Sequence, residues 1–182
     1  RYSQTCVLEL CQSAIALVQS QADQKQVQLK TQLSSPLLKI SVEERLLRQV
    51  LINLLSNAVK FTPQGGKITL EATFPTEKGD NWMTFAVRDT GIGIAQENLD
   101  KIFQPFVQID SALNRKYEGT GIGLSLVKRI VELHGGQVRV TSQEQVGSCF
   151  YLDLPCVITS QAAGLEDQSF TPETSPLILV VE

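Results

Sequence analysis

The segment from Glu43 to Phe61 constrains the fold more than any other part of the chain. Its apolar residues Leu47, Val50, Leu51, Leu54 and Ala58 recur at steps of three and four, which predicts an amphipathic helix docked on a core. Thr62, Pro63, Gln64, Gly65 and Gly66 follow and end it. The same helix carries Asn53, Asn57 and Lys60, spaced by four and three, so they fall within a sector of roughly 60°. The apolar stripe centred on Leu54 lies roughly 100° further round. A polar stripe so placed can border a cleft while the helix stays docked; a solvated face is the alternative. Two carboxamide oxygens and an ammonium suit a hydrated magnesium ion with phosphates, because magnesium keeps several waters and needs few protein oxygens.

Around this helix the pattern alternates between periods. Val7, Leu8, Leu10, Ile15, Leu17 and Val18 predict a second helix over 6–22, followed by short strands near 26–33 and 37–41. Ile68, Leu70, Ala72 and Phe74 alternate with polar residues, as do Met83, Phe85 and Val87 after the turn from Thr76 to Asn81, which predicts a hairpin. A short helix over 96–102, a polar loop over 104–119 and a third main helix over 124–134, stopped by Gly135 and Gly136, come next. Two strands, 137–141 and 148–154, complete the pattern, the second with Phe150, Leu152 and Leu154 on one face. The expected fold class is an α/β two-layer sandwich, with three main helices on one face of a mixed, mostly antiparallel sheet.

The chain has 182 residues, 42% of them hydrophobic, about one domain's worth. We expect that domain to span 1–155. After Pro155 the composition shifts to Thr159, Ser160, Gln161, Ala162, Ala163 and Gly164 and on through Pro172 and Pro176, so 156–175 is expected to be a linker and 176–182, with Leu177 to Val181 apolar, the start of a further domain. The chain starts at Arg1 and its only methionine is Met83, so it is expected to be a piece of a longer protein. Lys and Arg number 16 against 19 Asp and Glu, a net charge of −3, so there is no overall basic field to draw nucleic acid or an acidic membrane. No apolar run approaches the roughly 20 residues that cross a bilayer, and the first residues are too polar for a signal peptide. The expected location is cytoplasmic. Cys6, Cys11, Cys149 and Cys156 show no metal-ligand or redox spacing. His134, the single histidine, stands at a predicted helix end where partial positive charge suits the dipole, and is expected to be structural.

Asp89 follows Met83, Phe85 and Val87 in the same alternation phase, which turns its carboxylate toward the buried side. A buried carboxylate needs donors. The exocyclic amine of a purine is one; capping of the following turn is the alternative. Gly91 and Gly93 let the backbone approach a flat ligand, and Gly119, Thr120, Gly121, Ile122 and Gly123 form a second close-approach loop opening a helix whose amides favour phosphate. Either glycine cluster alone is equally compatible with a simple loop, and neither the dinucleotide fingerprint nor the P-loop is present. Arg115 and Lys116, in the polar stretch from Gln104 to Glu118, are candidates to bring positive charge over phosphates, with solvated charges as the alternative.

In this order and spacing the segments resemble the ATP-binding catalytic domain of sensor histidine kinases, within the GHKL, or Bergerat-fold, ATPase superfamily. Arg45 to Thr62 is similar to its N box and Asp89 to Ile94 to its first glycine box. Phe103, Gln104, Pro105 and Phe106 are similar to its F box, and Gly119 to Leu124 to its second glycine box. The resemblance runs from about Cys6 to Pro155. It implies ATP and magnesium as cofactors. Asn57 would ligate the metal with Asn53 assisting, Lys60 would touch phosphate and Asp89 would accept from the adenine amine. Phe61, Ile94 and Leu124 would line the base, Phe103 and Phe106 would anchor a lid containing Lys116, and Gly119, Gly121 and Gly123 would let it fold over the triphosphate.

The implied reaction transfers the γ-phosphoryl group to a histidine on an upstream dimerisation domain. The implied parent is a homodimer, and residues 176–182 resemble the first strand of a receiver domain, as in hybrid kinases. One departure within the superfamily matters: its ATP-hydrolysing members, such as gyrase and the heat-shock chaperone, carry a glutamate base where this chain has Asn53. A carboxamide takes no proton from water, so poor hydrolysis is expected. The rival readings are a nucleotide-binding sensory or scaffold module without transfer activity, and an ATP-hydrolysing clamp.

Overall fold

The computed structural model describes residues 1–35, 38–74, 81–107 and 121–155. In chain order the elements are β1 (Ser3–Cys6), α1 (Val7–Gln24), β2 (Gln28–Leu33), β3 (Lys39–Val42), α2 (Glu44–Phe61), β4 (Lys67–Thr73), β5 (Trp82–Asp89), α3 (Gly123–Leu133), β6 (Gln137–Gln143) and β7 (Gly147–Pro155). Five strands form one sheet in the order β2-β4-β5-β7-β6, with β2 and β4 parallel and every other neighbour antiparallel.

Strand alternation sets the layers. Ile68, Leu70 and Ala72 of β4, Met83, Phe85 and Val87 of β5, and Phe150, Leu152 and Leu154 of β7 are buried on the same side. The three helices cover that side. Central α2 packs on β4 and β5, flanked by α1 against β2 and by α3 against β6. The expected two-layer sandwich is therefore the observed fold. Two local expectations need correction. The helix foreseen over 96–102 is a single 3-10 turn, Gln96–Asn98, too short to bury an apolar face. Strand β1, absent from the sequence reading, pairs antiparallel with β3 in a separate two-stranded sheet; its four residues show no alternation, and the pairing is set by distant Lys39–Val42.

Helix α2 ends for identifiable reasons. Thr62 precedes Pro63, whose ring disfavours helical backbone one residue earlier, and Thr62 is extended with ψ 124°. Lys25 reaches from the end of α1 to cap the carbonyls of Val59 and Lys60, at 2.8 and 2.6 Å. A cation there also complements the helix dipole. His134 closes the opposite end of the helical layer. Its Nδ1 donates to the carbonyl of Ile130 at 2.8 Å, and its Nε2 accepts the backbone N–H of Glu43 at 3.3 Å, with the Tyr2 ring 5.5 Å away. Its role is structural, as expected, and it bridges the end of one helix to the start of another.

On the sheet face away from the helices, Asp153 sits in a complete cage. Arg139 donates to both its oxygens at 2.6 and 3.0 Å, Thr84 donates at 2.8 Å and Gln137 at 3.2 Å.

Candidate functional site

The site is built on one row of paired residues that crosses the sheet beneath the helices. Ile68 pairs with Asp89, Asp89 with Ser148, and Ser148 with Ser142. Asp89 closes β5 in the same phase as Phe85 and Val87, so the alternation that fills the core also turns a carboxylate inward. It is 8% exposed. Its Oδ1 accepts the N–H of Gly91 at 2.8 Å and that of Ser148 at 3.3 Å. Its Oδ2 accepts nothing from the described residues. Burial pushes the Asp89 carboxyl above its ordinary range, and the two backbone N–H bonds only partly offset this. The capping alternative for Asp89 is thus observed at one oxygen, and the other has no donor among the described residues.

Residues 91–94 are stitched between α2 and the β6–β7 turn. The N–H of Ile92 donates to Phe61 O at 3.2 Å, that of Gln145 to Ile92 O at 2.7 Å, and that of Ile94 to Ser142 Oγ at 2.8 Å. The end of α2 and the carboxylate of Asp89 are thereby held on the two sides of Gly91. From Phe61, Asn57 lies one helical turn back and Asn53 a second, each step about 6 Å along the axis. A polar edge therefore leads away from the acid. The Asn57 carboxamide makes no hydrogen bond with the described residues, whereas Asn53 Oδ1 accepts from Gln49 at 3.1 Å. Lys60 Nζ stands 4.9 Å from the centre of the Phe61 ring, and partial burial lowers the pKa of its ammonium.

The glycines of the first cluster make close contacts within the protein. A Cβ at Gly91 would stand 2.6 Å from Asp89 Oδ1 and 2.7 Å from Phe61 O, and one at Gly93, where φ is +70°, would overlap the carbonyl of Gln143. Close approach of the protein to itself is enough to require glycine at both positions. Ile94, Phe103 and Leu124 are half-buried against the core, and Phe103 meets Phe150 edge-on at 6.2 Å. Phe106 departs from the expected pair of anchors: its side chain is 78% exposed, and its backbone N–H instead donates to Gly121 O at 3.1 Å. Gly121 has φ +68°, and Gly123, with open space around it, begins α3. Lys116, Gly119 and Thr120, with Arg115, lie outside the described residues, as do Cys156, the expected linker and residues 176–182.

Sequence reasoning missed Ser142, Gly147 and Ser148. Ser148 continues the phase of Phe150, Leu152 and Leu154, and Ser142 that of Val138 and Val140, so the period of two contained the signal. Gly147, with φ +142°, lies against the backbone of Asp89, where a Cβ would overlap its carbonyl. Elsewhere, a depression of about 700 Å³ lies between α1 and β2, lined by Gln19, Asp23 and Lys30 among others. Among the described residues no three acidic, histidine or cysteine side chains cluster as a metal site, and no helix is long and apolar enough to cross a membrane.

Residues 42–158 match the family model described as histidine kinase-, DNA gyrase B- and HSP90-like ATPase. An uncharacterized sensor-like histidine kinase of Rhizobium meliloti is 40% identical over 162 residues, 89% of this chain and 29% of that protein. The circadian input-output histidine kinase CikA of Thermosynechococcus vestitus is 40% identical over 153 residues, 83% of this chain and 20% of that protein. This chain thus spans less than a third of either relative. Among solved structures, full-length ShkA in complex with AMPPNP superposes with a TM-score of 0.77 at 31% identity, covering 87% of this chain and 32% of that one. The catalytic domain of histidine kinase ThkA gives 0.72 at 26% identity, covering 85% and 95%.

Proposed function

The chain belongs to the histidine kinase-, DNA gyrase B- and HSP90-like ATPase family, and from that premise we propose that it is the catalytic part of a two-component sensor histidine kinase. It binds ATP and presents the γ-phosphoryl group to a histidine on an upstream dimerisation domain. The observation that carries this reading is the half-used carboxylate of Asp89. An acid with its second oxygen unpartnered among the described residues has room for an external donor, and the adenine amine supplies one. Phe61, Ile94 and Leu124 supply apolar surface for the base.

The phosphates extend along the polar edge of α2. Asn57 offers a carboxamide oxygen free of hydrogen bonds to the described residues, which fits the oxygen-ligand demand of magnesium; Asn53, engaged by Gln49, assists. Magnesium, when bound with the nucleotide, neutralises phosphate charge. Lys60 and the uncapped N-terminus of α3 favour the same anion. In the transfer, a ring nitrogen of the acceptor histidine forms a bond to the γ-phosphorus while the bond from that phosphorus to the β,γ-bridging oxygen breaks, releasing ADP. These side chains position and neutralise, which is most of what phosphoryl transfer requires. Asn53, where the ATP-hydrolysing branch has a glutamate, leaves water without a base and keeps the phosphoryl group for histidine.

A homodimeric, cytoplasmic parent, with 156–175 as a linker and 176–182 opening a receiver domain, completes the proposal. The first test is a magnesium-dependent ATP titration of this chain, followed by incubation with the upstream helices and detection of labelled phosphohistidine. Asn57→Ala is expected to lower magnesium-dependent affinity at least tenfold with the fold intact. Binding without label favours a sensory module, and rapid hydrolysis by the chain alone favours the clamp.

A further inference from the structure

Ser142 uses its whole hydrogen-bonding capacity inside the protein. Its Oγ accepts the N–H of Ile94 at 2.8 Å, contacts the carbonyl of Gly147 at 3.0 Å and lies 2.8 Å from Ser148 Oγ. A hydroxyl has one proton, and a carbonyl can only accept. The Ser142 proton therefore goes to Gly147, and in the contact between the serines Ser148 must be the donor. With its proton committed, the Ser148 oxygen has only lone pairs left for any other partner. Beside it, as its antiparallel pair, stands Asp89 with an oxygen that also only accepts when ionised.

We propose that Ser142 is a positioning residue for base selection. By drawing in the Ser148 proton, it makes the polar floor next to Asp89 an all-acceptor surface, which favours a base edge bearing an amine over one bearing a carbonyl. The inference rests on the nucleotide reading above and deepens it. An amine with two N–H groups satisfies neighbouring acceptors, whereas the 6-carbonyl of guanine meets them lone pair to lone pair, leaving buried groups unpaired. Ser142→Ala releases the Ser148 proton, which can then turn toward a carbonyl, and also frees the Ile94 amide.

The test is titration of the chain with ADP and with GDP, alongside thermal melting. The unmodified chain is expected to prefer ADP at least tenfold. Ser142→Ala is expected to lower that ratio about five- to tenfold, the worth of one hydrogen bond, and Ser142→Thr to restore it. A merely structural role would weaken both nucleotides together and leave the ratio unchanged, which would overturn the inference. Ser148→Ala removes the second acceptor, while Ser142 keeps its bonds to Ile94 and Gly147, and is expected to lower the same ratio. An unaltered ratio there would also overturn the inference, whether or not Ser142→Ala folds. If the unmodified chain binds neither nucleotide, the nucleotide reading falls and this inference with it; ADP preference retained by Ser142→Ala sinks only the role of Ser142.

Discussion

Asp89 and Asp153 stand on the same sheet, each 8% exposed, on opposite faces. Asp153 has donors on both oxygens, with Arg139 in a bidentate pair, and that guanidinium holds its carboxyl below the ordinary range. Asp89 has two backbone donors on a single oxygen and no cation paired with it among the described residues, and burial holds its carboxyl above that range. Equal burial thus accompanies opposite electrostatics. The difference teaches what to look for in a candidate binding carboxylate: the described residues complete the shell of Asp153 and leave one oxygen of Asp89 without a donor.

The sharpest way to break this contrast is to remove each acid and measure nucleotide binding by calorimetric titration. Asp89→Ala is expected to lower ATP affinity by about 10- to 100-fold, the range for a hydrogen bond to a charged group. Asp153→Ala is expected to leave affinity within about threefold. Equal losses would mean that the outer face supports the site as much as the inner one, and the distinction would fail.

Stability reverses the ranking. Asp153→Ala strands Arg139, Thr84 and Gln137 without their acceptor, but the Arg139 side chain is 50% exposed and water replaces part of the loss. A cost of about 1 kcal/mol follows, which lowers Tm by roughly 3 °C in a domain of this size. A Tm unchanged within error would show that the cage contributes no net stability.

The two acids were not equally legible in the sequence. The phase of Met83, Phe85 and Val87 turns Asp89 inward, and the same period places Asp153 outward of Leu152 and Leu154, yet nothing local announces that Arg139 and Thr84 converge on it. Pairing across strands separates those residues by 14 and 69 positions. The stripe of α2 was readable because helix geometry is local, and its observed start differs from the expected one by a single residue. Ser142 and Gly147 escaped because a turn between strands decides what they touch. The reason for Gly93 escaped as well, since the carbonyl that excludes a Cβ comes from Gln143, fifty residues along the chain.

Acidity offers the finest discrimination, and the signs can be worked out for each acid. Asp89 has a raised pKa in the folded state, so its contribution to stability is fully present below the unfolded value, about 3.9, and is lost as pH rises through the folded value. Above the folded value the ionised, buried group is a cost. Asparagine keeps an oxygen for the Gly91 N–H and does not ionise, so Asp89→Asn is expected to melt about 2 °C above the unmodified chain at pH 7. The gain should vanish as pH approaches the unfolded value. Asp153 has a lowered pKa, so its contribution is present above the unfolded value and is lost as pH falls through the folded one. Asp153→Asn is therefore expected to melt below the unmodified chain at pH 7, with a gap that also closes in acid. Melting curves of the three proteins between pH 7 and pH 3 should show the two variants on opposite sides of the unmodified chain and converging. Two variants shifted in the same direction at pH 7 would show that Asp89 has a partner the open shell does not provide, and would remove the reason for assigning it to a ligand.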